Sequence, residues 1–225
     1  MPSSLELIVS YVAARDFSFV EILIVDDGST DATADVVRAA SREHCCVRLV
    51  SNPGNRGKGY AVRNGMLHAK GEWILYTDAD LSAPIDECET LLTAAVQNGA
   101  EVCIGSRALD RSLIQVHQHQ FREYSGRAFN LLMRSVTGLP FRDTQCGFKL
   151  YSARAAKIIF PRQQLDGFSF DVEDLYIAKR HGIKAIEVPV RWSNVEGTKV
   201  SLTAGLKSFA DLVKIRRYDA AGKYR

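Results

Sequence analysis

The feature that most narrows the possible folds is a recurring unit: a short apolar run, a polar turn, then helical periodicity. Glu21-Ile22-Leu23-Ile24-Val25 runs into Asp26-Asp27-Gly28-Ser29, as a buried parallel strand runs into a polar turn. Ser29, Thr30 and Asp31 are suited to cap a helix reaching about His44. The unit repeats as strand Val47 to Val50, helix Tyr60 to Ala69, strand Trp73 to Thr77, helix Ile85 to Asn98 and strand Glu101 to Gly105. Alternation at this spacing predicts an α/β fold, with a mostly parallel sheet and helices on both faces. Beyond it the pattern predicts a long helix from about Arg122 to Thr137, a compact segment through Tyr151, a helix from about Asp171 to His181 and a strand Ala185 to Trp192. At the other end, Leu5, Ile8, Val9 and Val12 fall at i, i+3, i+4 and i+7, so the sequence opens inside an amphipathic helix.

With 225 residues, 46% of them hydrophobic and 24% charged, the chain suits one α/β domain over residues 1–225 and neither a disordered nor a fibrous protein. Twenty-nine basic against 26 acidic residues give +3, too weak an excess to argue for nucleic acid. Five cysteines without regular spacing, two of them adjacent at Cys45-Cys46, point to a reducing, cytoplasmic compartment. No window approaches the roughly 20 apolar residues needed to span a bilayer, and no secretory pattern opens the chain. Within the segment 200–225, Leu212, Val213 and Ile215 interleave with Lys214, Arg216, Arg217, Lys223 and Arg225. Such a basic amphipathic end suits either an anionic lipid surface or a solvated terminal helix.

In open α/β sheets ligands bind beyond the carboxyl ends of the strands, where Asp26-Asp27, Asp78-Asp80 and Ser106-Arg107 all fall. Asp78 and Asp80 flank a small residue after an apolar strand, so a short turn can aim both carboxylates at one point. Two such anions favour a hard cation, Mg²⁺ or Mn²⁺, whose shell is completed by substrate phosphates. Taken alone, the pair fits solvated loop aspartates or a helix cap ahead of Pro84 equally well. Asn52-Pro53-Gly54-Asn55-Arg56-Gly57-Lys58-Gly59 is a glycine-rich turn with two cations opening onto a helix, suited to facing an anion or a polar base edge. It lacks the Gly-Lys-Ser/Thr of a P-loop and is no G-x-G-x-x-G after a first strand, which argues against dinucleotide binding. His117 and His119 point apart at i, i+2 on a helix and make poor metal ligands.

Read in order, Val25-Asp26-Asp27-Gly28-Ser29, Asn55-x-Gly-x-Gly-x-Ala-x-x-Asn-Gly65 and Thr77-Asp78-Ala79-Asp80 resemble the family 2 inverting glycosyltransferases. Asp143-Thr144-Gln145-Cys146-Gly147-Phe148-Lys149-Leu150, Phe170-Asp171-Val172-Glu173 and Glu196-Gly197-Thr198-Lys199 look most like the branch that glycosylates dolichyl or polyprenyl phosphate, especially the dolichyl-phosphate glucosyltransferases. The resemblance covers about Leu5 to Lys214. It implies a GT-A, Rossmann-like nucleotide-sugar fold and metal-dependent inverting transfer of a hexose, glucose from UDP-glucose, to a lipid phosphate at a cytoplasmic membrane face. By the same resemblance Asp27 would contact the uridine with Lys58 near it, Asp78 would face the nucleotide, and Asp80, with Asp78, would hold Mg²⁺ or Mn²⁺ on the diphosphate. Arg107 and Lys199 match positions that neutralise donor or acceptor phosphates. Asp143 matches the position proposed to accept the acceptor's proton. A polyprenyl phosphate is already ionised near neutral pH, so an orienting role fits Asp143 as well, and the residue types alone also fit a loop cap. Asp171, Glu173 and Asp174 form a rival carboxylate set at what reads as a helix N-terminus, ranked below Asp143.

One departure stands out. Similar enzymes begin with a strand and a Pro-x-Tyr-Asn-Glu type turn ahead of the first helix, which Leu5 to Val12 matches here, so the sheet is expected to lack its first strand. Either the start lies upstream or the chain is an inactive relative that binds sugar nucleotide without transfer. A nucleotidyltransferase is the alternative chemistry, but its glycine-rich loop should follow the first strand.

Overall fold

The computed structural model describes residues 2–116, 131–194 and 202–225. Helix α1 (Pro2–Ala13) precedes β1 (Ile22–Asp26), α2 (Thr33–Glu43), β2 (Val47–Ser51), α3 (Lys58–His68), β3 (Trp73–Thr77), α4 (Glu87–Asn98) and β4 (Val102–Ser106). There follow β5 (Ile114–Val116), helix α5 over 131–137, β6 (Phe148–Ser152), α6 (Ala153–Ile159), α7 (Phe170–Arg180), β7 (Ala185–Pro189), β8 (Trp192–Ser193) and α8 (Leu202–Ala220). The expected alternation is present, with strand β3 at the residues the pattern marks. The expected strand to Trp192 divides into β7 and β8. Of the long helix expected from Arg122, the part before residue 131 lies outside the described residues, as do His117, His119 and Lys199.

A four-stranded sheet runs β3-β6-β4-β7. Strand β6 is antiparallel to both of its neighbours, while β4 and β7 are parallel. Side chains alternate faces along a strand, and the core divides accordingly. Ile74, Tyr76, Val102, Ile104 and Tyr151 pack with Ala155, Ile159, Phe170, Leu175, Leu212 and Ile215 of α6, α7 and α8. Trp73, Leu75, Cys103, Phe148, Leu150 and Val188 pack with Leu91 and Ala95 of α4. Helices therefore cover both faces, and Gly99 closes α4 in the left-handed conformation at φ 57°.

Strands β1 and β2 form a separate parallel pair with its own small core of Leu5, Ile22, Val37 and Val47 from α1, β1, α2 and β2. Among the described residues β1 ladders only with β2, and β3 only with β6. Among the described residues the sheet is thus divided between β1 and β3. Side chains bridge the division: Asn64 of α3 donates to Asn52 after β2 at 2.7 Å, and Tyr11 of α1 donates to Glu89 of α4 at 3.3 Å.

Candidate donor-binding site

The topology brings the site together. Because β6 runs antiparallel between β3 and β4, the residues entering β6 arrive at the same sheet edge as those leaving β3 and β4. Asp78 follows β3, Arg107 follows β4, and the loop from Asp143 to Gly147 precedes β6. Asp78 N donates to Gly147 O at 2.9 Å, and a side chain on residue 147 would overlap the Asp78 carboxylate. Asp78 Oδ1 accepts from Tyr76 Oη at 2.7 Å and pairs with Lys58 Nζ at 2.8 Å. Burial by itself would depress the Lys58 ammonium, but Asp78, Asp171 and Asp80 outweigh it and hold its pKa above the ordinary lysine value.

Asp80 sits two residues further along an exposed turn, with Ser82 N donating to its Oδ1 at 3.0 Å. Leu81 closes this turn at φ 50°, a left-handed conformation that costs a side-chain-bearing residue roughly 1–2 kcal/mol. Asp80 Oδ2 and the open face of the turn fit one divalent cation whose remaining ligands come from substrate oxygens. Asp78 is less suited to that duty, since Oδ1 is already shared between a lysine and a tyrosine. No group of three or more His, Cys, Asp or Glu residues that could hold a metal by protein ligands alone occurs among the described residues.

Asp27 leaves β1 and holds the glycine-rich turn: Oδ1 accepts from Asn52 Nδ2 at 2.8 Å and Arg56 N at 2.9 Å, and Oδ2 accepts from Gly57 N at 2.8 Å. Gly57 has φ 104° and lies so close to Asp166 O that a Cβ would approach it to 2.5 Å, so glycine is required on both counts. Lys58 is the first residue of α3, and its ammonium carries this turn across to Asp78.

Arg107 and Asp143 form a bidentate pair. Nε donates to Oδ2 at 2.7 Å and Nη2 to Oδ1 at 2.8 Å, while the Arg107 backbone N–H adds a third bond to Oδ2 at 3.0 Å. Asp143 is buried; burial would raise its pKa, but Arg107 more than reverses this and holds the carboxylate below the usual range. Glu187 of β7 fixes the backbone by accepting from Arg142 N and Asp143 N and from Ser106 Oγ. So arranged, Asp143 orients Arg107 and is a weak proton acceptor.

Sequence reasoning passed over Lys149, which is wholly buried on the Tyr76 side of β6, paired with Asp171 and facing the rings of Tyr76 and Phe170. A cation inside the apolar run Phe148-Lys149-Leu150-Tyr151 was the available signal. Asp171 and Glu173 do occupy the first turn of α7, as read, but inside the core rather than at its surface. Burial raises the pKa of both; for Asp174, burial reinforced by Glu173 and Asp171 raises it well above the ordinary value.

Known proteins resemble this chain in sequence and in fold. The family model for glycosyl transferase family 2 matches residues 2–160. A dolichyl-phosphate beta-glucosyltransferase of Trichomonas vaginalis is 37% identical over 206 residues, covering 90% of this chain and 61% of its own length. Enzymes of the same name from Saccharomyces cerevisiae and Homo sapiens are each 34% identical, over 96% and 100% of this chain and 70% and 73% of theirs. The chain therefore spans about three fifths of the length of the Trichomonas relative. In fold, it resembles glucosyl-3-phosphoglycerate synthase from Mycobacterium tuberculosis, solved with Mn²⁺, uridine-diphosphate-glucose and phosphoglyceric acid: the TM-score is 0.66 at 16% identity, covering 95% of this chain and 75% of that one. Mannosyl-3-phosphoglycerate synthase from Rubrobacter xylanophilus gives a TM-score of 0.68 at 15% identity, over 99% of this chain and 70% of the other. With its GT-A architecture and the ordered motifs at one sheet edge, the chain belongs to glycosyl transferase family 2, among relatives that are dolichyl-phosphate beta-glucosyltransferases.

Proposed function

We propose that the chain transfers glucose from UDP-glucose to dolichyl or another polyprenyl phosphate in a single inverting displacement. The observation that carries this reading is the Lys58–Asp78 pair at 2.8 Å, which joins the glycine-rich turn after β2 to the Asp-x-Asp turn after β3 and so builds one site from two strand ends. Asp27 holds the turn that lies against the nucleotide, and Asp78, seated on Gly147, faces it. Asp80 holds Mg²⁺ or Mn²⁺; the chemistry such an ion supplies is neutralisation of charge on the departing diphosphate. Inverting displacement needs an acceptor oxygen in line with that leaving group. An acceptor phosphate is already ionised, so the Arg107–Asp143 unit serves by placing a guanidinium toward it, with Lys199 as a second cation.

The lipid acceptor is met at a membrane surface. Among the described residues no helix is long and apolar enough to cross a membrane. Phe209 and Val213 of α8 are exposed, with Arg216, Arg217 and Lys223 exposed beyond them, which suits peripheral contact with anionic lipid.

The test is transfer of label from UDP-glucose, UDP-N-acetylglucosamine and GDP-mannose to polyprenyl phosphate, with and without a chelator. Glucose transfer that the chelator abolishes, and that Asp80→Ala reduces by about 100-fold or more, is the expected result. UDP-glucose binding without transfer to any lipid phosphate would overturn the enzymatic reading.

A further inference from the structure

The segment after α8 reaches the donor site through an unbroken series of hydrogen bonds. Tyr224 is buried, its ring edge-on to Tyr176 and Tyr218, and its Oη donates to Glu173 Oε1 at 2.5 Å. Its backbone carbonyl is held by His181 Nε2 at 2.8 Å. Glu173, itself fully buried in α7, uses Oε2 to accept from Leu165 N at 2.8 Å and Gln164 N at 3.1 Å.

Those two amides belong to the loop Gln163–Gly167, which wraps the first turn of α3. Asp166 O accepts from Gly59 N at 2.8 Å and Tyr60 N at 3.3 Å. Gln163 Nε2 donates to Gly59 O at 2.9 Å and to Leu165 O at 2.8 Å, and Arg63 Nη1 donates to Gln163 O at 2.9 Å. Gly59 has no room for a side chain, since a Cβ would come within 2.5 Å of Leu165 O. The glycine-rich turn is therefore gripped from two sides, by Asp27 on one and by this loop on the other.

We infer that Tyr224 and Glu173 are positioning residues for the donor site: the tyrosine hydroxyl fixes the carboxylate, the carboxylate fixes the loop, and the loop fixes Lys58 and the turn before it. The inference rests on the proposed donor site but not on the identity of the sugar. A carboxylate buried among apolar side chains is costly unless its lone pairs are filled. Three donors meet most of them here, one on Oε1 and two on Oε2, so each oxygen of Glu173 has a defined direction that loss of one donor releases.

The variant that tests this is Tyr224→Phe, which keeps the ring and removes only the hydroxyl, with Tyr218→Phe as its control. Amide hydrogen exchange in the unliganded protein should quicken by about fivefold at Leu165, Gly59 and Tyr60, the scale of one lost hydrogen bond, while the amides of β4 keep their protection. The KM for UDP-glucose should rise by a similar factor, about fivefold, with kcat unchanged, and Tyr218→Phe should leave both readouts at the wild-type level. Unchanged exchange at Gly59 and Tyr60, or quickening that extends equally into β4, would overturn the inference. If wild-type protein fails to use UDP-glucose, the proposed function falls, and the exchange measurement alone still decides the role of Tyr224.

Discussion

Gly147 and Asp78 claim the same space: the Asp78 carboxylate lies where a side chain on residue 147 would begin, and the Asp78 amide is bonded to the Gly147 carbonyl. Gly147→Ala therefore displaces the carboxylate from Lys58 and Tyr76. The expected outcome is loss of about 1–3 kcal/mol of stability from the forced overlap, together with at least a tenfold weaker UDP complex, read by urea denaturation and by calorimetric titration. An alanine variant that binds UDP as the wild type does would show that Asp78 is free to move without cost.

Lys58→Met keeps the aliphatic stem and removes the ammonium. Both partners of the Lys58–Asp78 pair are partly exposed, so the stability change should be small, about 1 kcal/mol or less, while the KM for the nucleotide sugar rises. The raised pKa of Lys58 means that its contribution is complete below the ordinary lysine value and is lost only as pH climbs through the higher folded value. Donor affinity should accordingly be flat between about pH 6 and pH 9. A fall in affinity within that window, absent from Lys58→Met, would contradict this.

Asp143 titrates below the usual carboxylate range because Arg107 outweighs its burial. Its stabilising pair is therefore present above the unfolded carboxylate pKa, about 3.9, and is lost as pH falls through the lower folded value. The pH profile of kcat/KM should show no limb from Asp143 above about pH 5. Arg107→Lys keeps the charge but loses the two-pronged geometry, and should lower turnover by about tenfold without shifting the profile. An acid limb near neutrality that vanishes in Asp143→Asn would instead identify Asp143 as the base.

Asp174 is buried, and both of its carboxyl oxygens lack a hydrogen-bond partner among the described residues. Burial, Glu173 and Asp171 raise its pKa, so the folded protein holds a proton that the unfolded chain releases. Stability is then lost progressively as pH rises from the unfolded value toward the folded one. Asp174→Asn abolishes that titration, and the slope of unfolding free energy against pH above the unfolded carboxylate value, about pH 4, should flatten. Denaturant melts at several pH values check it; an unchanged slope would mean that Asp174 finds a charge-stabilising partner.

Much of this was legible from local pattern. β3 and the turn after it follow from an apolar run ending in Asp78-Ala79-Asp80, and α3 from the glycine-rich turn ahead of Lys58. β6 was not: Lys149 breaks its apolar run, and its place between β3 and β4 depends on pairing with residues about 45 to 80 positions away, which periodicity does not carry. Arg107 and Asp143 read as two separate functional charges, because a sequence shows charge types but not that 36 positions of chain fold back to make one fork. For the same reason Asp27 reads as a ligand contact, while its three bonds go to Asn52, Arg56 and Gly57. Loop Gln163–Gly167 has no motif at all; apart from the Gln163 side chain, its importance comes from backbone amides and carbonyls, which every sequence possesses.

The interruption between β1 and β3 has a mechanical meaning. A ladder of backbone hydrogen bonds makes neighbouring strands melt together; among the described residues no ladder joins β1 to β3, and helix α3 with a few side-chain bridges links the two layers, so in this chain the β1–β2 layer opens at lower free energy than the four-stranded layer. A nucleotide lying between the Asp27-braced turn and the Asp78 turn would touch both layers at once. Its binding energy would then go partly into fastening them, and heating should produce two unfolding steps in the empty protein that merge toward one as the nucleotide concentration rises.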